Sequence, residues 1–525
     1  MTSAFRRIDP VKRAVVALAI AGCLVAAVSP DWLGYHGDDS GRRFSPLAQV
    51  NTSNVRHLAA AWLFQLVRLP SRSEATPLVR DGVMYITVGG AEAWALDART
   101  GRPFWSFEYA PPSSGPAEGV HRTNWNRGFA LSNQRLFMAT DDCSLIALDA
   151  RNGSLLWRVQ LADPAENYGS TAAPLVVNNL VLIGVRGGDT GRVRGFIDAF
   201  DVETGKRAWR FSTVPAPGEP GSETWPANSD AWKAGGAATW TTGTYDPELN
   251  LIYWTTGNPG PRDFDGRDRP GDNLYSCSVL ALNPGTGKLV WHYQFTPHDW
   301  NDWDANETPV LADATWHGSS RKLLLHANRN GFFYVLDRRD GRLLLAEPFS
   351  KVNWARRIGP DGRPERIPGM EPSNRGVYTC PDVHGGTNWQ AAAFDASKGL
   401  FYVAARDACG YFYPTGSAND SEKLAPEQSI KAIDIQTGKV RWKYMFAGNQ
   451  DLVNHAGVMA TAGGLLFVGG RDGQFIALDA GDGKALWNFN TGGTIRSSPM
   501  SYMVAGKQYV AIFGKTSVFA FALMD

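Results

Sequence analysis

Residues 147–157 read Ala147-Leu148-Asp149-Ala150-Arg151-Asn152-Gly153-Ser154-Leu155-Leu156-Trp157. An apolar strand end runs into an Asp, a Gly four residues on closes the turn, and a second strand ends in Trp. The same grammar recurs from Ala95-Leu96-Asp97 through Gly101 to Trp105, from Ala199-Phe200-Asp201 through Gly205 to Trp209, and from Ala281-Leu282-Asn283 through Gly287 to Trp291. It returns from Ala432-Ile433-Asp434 through Gly438 to Trp442 and from Ala477-Leu478-Asp479 through Gly483 to Trp487. Val335-Leu336-Asp337 leads through Gly341 to Leu345, where the Trp is missing, and Trp62 reads as an eighth second strand without its first half. From Trp62 to Trp487 the spacings are 43, 52, 52, 82, 54, 97 and 45 residues, so the base unit is about 45–50 residues, the range of propeller blades. One four-stranded blade cannot bury both its faces, so blades stack around an axis. The expectation is an all-β, eight-bladed β-propeller in which each Trp docks on the neighbouring blade. Residues 507–523 supply strands to complete the blade begun at Trp62, which leaves no sheet edge open. The long spacings, 209–291 and 345–442, hold insertions rich in Gly, Pro and Trp, and loops on one propeller face are where a site is built.

The chain has 525 residues, 43% hydrophobic and 20% charged, with a formal net charge of +1. That apolar content excludes a disordered chain. Balanced charge with scattered basic residues argues against a nucleic-acid partner. Only one long apolar run exists, residues 14–28, behind Arg6, Arg7, Lys12 and Arg13, so a multi-pass membrane protein is excluded. The basic flank and apolar run read as a signal peptide or N-terminal anchor over residues 1–30, with the propeller over 31–525. Ile20-Ala21-Gly22-Cys23 also has the form of a lipobox, which would tether the chain to a membrane through Cys23. Either reading implies export to an oxidising compartment, the periplasm.

Two cysteines in turn-like contexts, Cys380 and Cys409, suit a bridge in an exported chain, whereas Cys143 and Cys277 read as buried free thiols. There is no Cys-x-x-Cys-His for attached haem, no zinc spacing, no dinucleotide-binding glycine fingerprint and no hydrolase triad motif. The informative stretch is Thr296-Pro-His-Asp-Trp-Asn-Asp302-Trp-Asp304-Ala-Asn-Glu307, four acids around two Trp. Carboxylates among aromatics call for a hard cation, a basic partner or a raised pKa, unless the stretch is a solvated acidic turn. Asn258 in Thr-Thr-Gly-Asn-Pro-Gly-Pro is a neutral oxygen ligand or an Asn-Pro turn, and Asp189 in Gly-Gly-Asp-Thr-Gly carries the same ambiguity.

From Asp31 onward, nearly the whole mature chain resembles the pyrroloquinoline quinone (PQQ) dependent dehydrogenases, eight-bladed quinoproteins that oxidise alcohols and glucose. The resemblance rests on Asp31-Trp32, Arg43-Phe44-Ser45-Pro46-Leu47, Asn54-Val55 and Ala61-Trp62. It continues through Thr255-Thr-Gly-Asn-Pro-Gly-Pro, Thr296-Pro-His-Asp to Asp302, and Asn328-Arg329-Asn330-Gly-Phe-Phe-Tyr334, in family order. It implies Asp302 as catalytic base and Asp189, Asn258, Asp302 and Asp304 as ligands of Ca2+ or a lanthanide ion, Asp304 matching an extra acid of lanthanide-using members. It implies Trp240 as the indole beneath PQQ, and Glu74, Arg127, Thr171, Arg329 and Asn388 as groups holding its carboxylates and carbonyls. It also matches Cys380 and Cys409 to a family disulfide. The implied activity is oxidation of an alcohol, polyol or sugar, with electrons passed to an external cytochrome c or membrane quinone. The alternative is a cofactor-free propeller scaffold of the outer-membrane assembly type. Two departures matter: His121 and Arg122 stand where many members have adjacent Cys, and Asp189 stands where the family usually has Glu, one methylene longer.

Overall fold

The computed structural model describes residues 30–66, 74–89, 91–110, 125–190, 192–260, 266–419, 426–446 and 456–524. The leader and lipobox readings, and His121 and Arg122, lie outside these residues. The described residues form eight four-stranded antiparallel blades, one per repeat, the seventh extended by a fifth strand. In the blade that ends at Trp157 the strands are Ala130–Ser132, Arg135–Thr140, Ser144–Asp149 and Leu155–Gln160. The third is buried throughout and the fourth is exposed or half-buried along its length, so the first lies at the axis and the fourth at the rim. The last blade is composite. Leu58–Gln65 pairs antiparallel with Ser517–Leu523, and Lys507–Phe513 and Met500–Val504 continue inwards. The two ends of the propeller thus close its ring.

Docking of blade on blade explains why Gly and Trp repeat together. Trp105 Nε1 donates to the Ala150 carbonyl of the next blade at 3.0 Å, and its ring lies on Gly153. Gly153 has φ +75°, and a Cβ there would stand 2.6 Å from the indole. Glycine is therefore required twice over, by the turn and by the ring. The same contact joins Trp62 to Gly101, Trp157 to Gly205, Trp209 to Gly287, Trp291 to Gly341 and Trp442 to Gly483. Leu345 takes the missing Trp's place against Gly438, and Trp487 Nε1 reaches Leu58 O of the composite blade at 2.9 Å. Gly153→Ala is expected to destabilise the fold by about 2–4 kcal/mol, since it combines left-handed strain with overpacking. Denaturant melts of the variant check this, and an unchanged midpoint would refute the docking account.

The sequence reading assigned residues 31–57 to the propeller without a role of their own. They form a plug. Backbone amides of the innermost strands donate to it at Val79 to Trp32 O, Tyr245 to Asp39 O, Leu311 to Ser40 O, Phe394 to Arg42 O and Ala460 to Arg43 O, at 2.7–3.1 Å. Phe44–Ser45 then runs parallel to Val458–Thr461. The plug satisfies strand edges that a bare axial channel would leave unpaired. Between it and the innermost strands lies a cavity of about 590 Å3 walled by Trp32, His36, Phe44, Leu131 and Val176; none of the candidate site residues lines it.

Burial and the charge of Arg43 hold His36 neutral, well below an ordinary imidazole. The unfolded chain takes up that proton near pH ~6.5. Below that pH the unfolded state binds more protons, so stability falls on acidification, by about 1.4 kcal/mol per pH unit for this group. His36→Gln is therefore expected to flatten the decline in thermal stability between pH 6.5 and 5, as read from paired melting curves.

Candidate active site

The candidate residues fall on one face of the ring for a topological reason. Each innermost strand starts from that face and the antiparallel second strand returns to it. Glu74, Arg127, Thr171, Trp240, Asp302, Asp304 and Asn388 precede the innermost strands Leu78–Arg80, Ala130–Ser132, Leu175–Val177, Thr244–Asp246, Val310–Trp316 and Ala393–Asp395. Asp189, Asn258 and Arg329 follow the second strands Leu180–Gly184, Leu251–Thr255 and Ser319–Ala327. The long insertions open on this same face.

Asp304 is the organising carboxylate of one half. Its Oδ2 accepts from Trp240 Nε1 at 2.9 Å and from Asn306 Nδ2 at 2.8 Å, and its Oδ1 accepts from the Asn258 backbone amide at 2.6 Å. Arg329 lies 3.2 Å from Asp304 and 3.5 Å from Asp302, all three side chains nearly buried. Arg329 also donates to Val383 O at 2.7 Å. Asp302 holds a left-handed backbone, φ 62°, a conformation that costs about 1–3 kcal/mol outside glycine and clusters at functional sites. Burial alone would lower the Arg329 pKa, but Asp302, Asp304, Glu307 and Asp189 outweigh it and raise it above its ordinary value.

Arg127 organises the other half. It donates to Glu74 Oε2 at 2.6 Å, Thr171 Oγ1 at 2.7 Å and Trp240 O at 3.2 Å. Its guanidinium stands 4.9 Å from the Trp240 ring and 5.3 Å from the Trp389 ring. Arg127 and Arg329 are both buried, not surface ion pairs. Trp240, partly exposed, touches both halves. Glu74, Arg127, Thr171, Trp240, Asp304, Asn258, Arg329 and Asp302 thus form one continuous network.

Two candidates stand at its margin. Asn388 is buried and joins through its neighbour Trp389, its amide donating to His384 O at 3.2 Å. Asp189 is exposed on the short turn Gly188–Thr190 and reaches Arg329 through its charge. Among the described residues no three His, Cys, Asp or Glu side chains gather closely enough to hold a metal. The donor chemistry nevertheless suits a cation, because the charges of Asp302, Asp304 and Asp189 converge on Arg329. The Nε groups of both arginines are buried without hydrogen-bond partners, spare donors for an anionic group. An indole face with donors on one side and acids on the other fits PQQ with a hard cation.

Four neighbours escaped the sequence reading of the site. Glu307 and Asn306 were quoted within the acidic stretch and given no role. Glu307 is buried with neither carboxylate oxygen hydrogen-bonded, and burial pushes its pKa well above the carboxylate range. Its partner, His326 at 3.5 Å, is held neutral by burial, down to about 3. Trp389 under Arg127 carried no distinguishing signal. Cys380 and Cys409 form a disulfide beside the site, and Cys143 and Cys277 are buried free thiols.

Comparisons with known proteins identify the family. Residues 32–353 and 429–510 match the family model described as PQQ, glucose/ethanol/alcohol dehydrogenase, beta-propeller domain. The chain is 38% identical to the quinohemoprotein alcohol dehydrogenase ADH IIB of Pseudomonas putida, over 92% of this chain and 73% of that one. It is 36% identical to the lanthanide-dependent methanol dehydrogenase of Methylacidiphilum fumariolicum, over 92% and 84%. A solved europium-containing methanol dehydrogenase superposes with a TM-score of 0.86 at 33% identity, covering 94% of this chain and 98% of that one. BamB of Moraxella catarrhalis, at 15% identity and a TM-score of 0.50, shares the fold alone. The chain therefore belongs to the PQQ-dependent β-propeller dehydrogenases, oxidoreductases that act on CH–OH donors.

Proposed function

We propose that the protein is an exported quinoprotein dehydrogenase that oxidises an alcohol, polyol or sugar and passes electrons to a separate cytochrome c or membrane quinone. The observation that carries this reading is the Trp240–Asp304–Arg329–Asp302 network, an indole face bordered by carboxylates that share one buried guanidinium. Bound PQQ supplies the hydride acceptor and its cation, Ca2+ or a lanthanide, the Lewis acidity. The protein's own residues do the rest. Trp240 offers the aromatic floor. Arg127, with Thr171 and Glu74, and Arg329, with Asn388, hold the cofactor's anionic and carbonyl groups. Asp189, Asn258, Asp302 and Asp304 would supply oxygen ligands to that cation. Asp302, 3.5 Å from Arg329, accepts the substrate hydroxyl proton at a carboxylate oxygen.

The apolar run before residue 31 supports export, and among the described residues no helix is long and apolar enough to cross a membrane. The test is reconstitution of the full chain with PQQ and either Ca2+ or La3+, followed by dye reduction with a panel of alcohols, polyols and aldoses. Substrate-dependent reduction is the expected result. Failure to bind PQQ in an absorbance titration would overturn the reading.

A further inference from the structure

Arg43 is the least exposed arginine at the hub, at 0%. Its Nε donates to Val458 O at 3.1 Å, Nη2 to Pro499 O at 2.5 Å, and Nη1 to Thr76 Oγ1 at 3.4 Å and to Tyr35 O. Every one of these acceptors is neutral, three carbonyls and a hydroxyl. The guanidinium also stands 5.4 Å from the Trp32 ring and 5.6 Å from the Tyr35 ring. Among the described residues no carboxylate pairs with it. A buried charge without a counter-charge is costly, so folds rarely keep one without a use.

Its position indicates the use. Thr76, which it touches, lies two residues past Glu74, and the Thr76 amide donates to Arg127 O at 3.3 Å. Arg43 is thus one residue behind the Glu74–Arg127 pair. We propose that Arg43 is a positioning residue for an anionic cofactor: a built-in, uncompensated positive charge behind the Glu74–Arg127 pair that draws the carboxylates of PQQ to that end of the site. The inference rests on the quinoprotein reading and deepens it.

The surrounding charges favour it. Glu74 and Arg127 neutralise each other at 2.6 Å, so Arg43 leaves their end of the site net positive. Burial lowers its pKa to about 10, which still leaves it charged at neutral pH. The titratable groups packed against it, Tyr35 and His36, are both held neutral by burial. At the other end the acids Asp302, Asp304 and Asp189 converge on Arg329. Trp240 spans the two ends. The site is therefore electrically polarised along the indole, and a flat polyanion carrying a cation at one edge matches that polarity.

The experiment titrates the full-length apo-protein, without metal, with PQQ and with its uncharged trimethyl ester, reading tryptophan fluorescence. In Arg43→Met the Kd for PQQ should rise about 10–100-fold, as expected for losing one unit charge at short range in a low dielectric. The Kd for the ester should move by less than about threefold, and Arg43→Lys should restore PQQ binding. A purely structural role would weaken both molecules alike, so a folded Arg43→Met with the wild-type PQQ-to-ester ratio overturns the proposal. Should Arg43→Met not fold, Thr76→Asp decides. It leaves Arg43 in place and supplies the missing carboxylate, so a reduced PQQ-to-ester ratio supports the inference and an unchanged ratio overturns it. Wild-type protein that binds neither molecule overturns the quinoprotein reading and the inference together.

Discussion

Asp302→Asn is expected to lower the turnover of the reconstituted holoenzyme about 10²–10⁴-fold, the range associated with removing a positioned general base. Its affinity for PQQ should stay within about threefold of wild type, because the substitution preserves shape and removes no group assigned to holding the quinone. The carboxylate is well placed for the task. It is 7% exposed, and its backbone is held at φ 62° by the loop between Thr296 and Val310. The Arg329 guanidinium lies 3.5 Å away. An amide there cannot take a proton from a substrate hydroxyl. Dye-linked kcat and a parallel PQQ titration check the split. Retention of more than about a tenth of wild-type kcat would show that another group accepts the proton. Glu307, in the same acidic stretch, is disqualified as that base because burial favours its protonated form.

Much of this molecule was legible because its decisive contacts are written locally. Gly153 and Trp157 lie four residues apart in one hairpin, and the rule that each Trp docks on the next blade's Gly follows from stacking identical units. Even the exception was legible: Leu345 marks the one repeat where the Trp is missing, and it lies against Gly438 in its place. The site was readable where chemistry leaves an unusual composition. Asp302 and Asp304 stand between Trp300, Trp303 and a buried strand, a context in which carboxylates are hard to explain otherwise. The plug was not legible, since residues 31–57 show no period and bind through backbone carbonyls to strands from 47 to 417 residues away. His326 was hidden for a different reason. It sits inside the buried strand Ser319–Ala327, where nothing in the sequence separates a histidine facing Glu307 from an ordinary core residue. Arg43 was visible only as a letter in a motif; that no carboxylate among the described residues pairs with it is a three-dimensional fact.

Asp304→Asn is the second large effect, and it concerns the choice of cation. Asp304 accepts from the Trp240 indole, the Asn258 amide and Asn306, and lies 3.2 Å from Arg329. An amide of the same shape keeps part of this network but removes one negative charge from the carboxylates around Arg329. The electrostatic penalty of that loss scales with the charge of the ion opposite, so it falls harder on a trivalent than on a divalent cation. The expected result is that the La3+ concentration giving half-maximal activation rises at least tenfold more than the corresponding Ca2+ concentration, about 1.4 kcal/mol of discrimination. The PQQ titration without metal should change little, which separates loss of the ion from loss of the quinone. Equal losses for La3+ and Ca2+ would assign Asp304 to orienting Trp240 and Arg329 instead. An increased preference for La3+ would mean that the discriminating acid lies elsewhere, with Asp189 the remaining candidate, since it is exposed on its turn and yet reaches the same guanidinium.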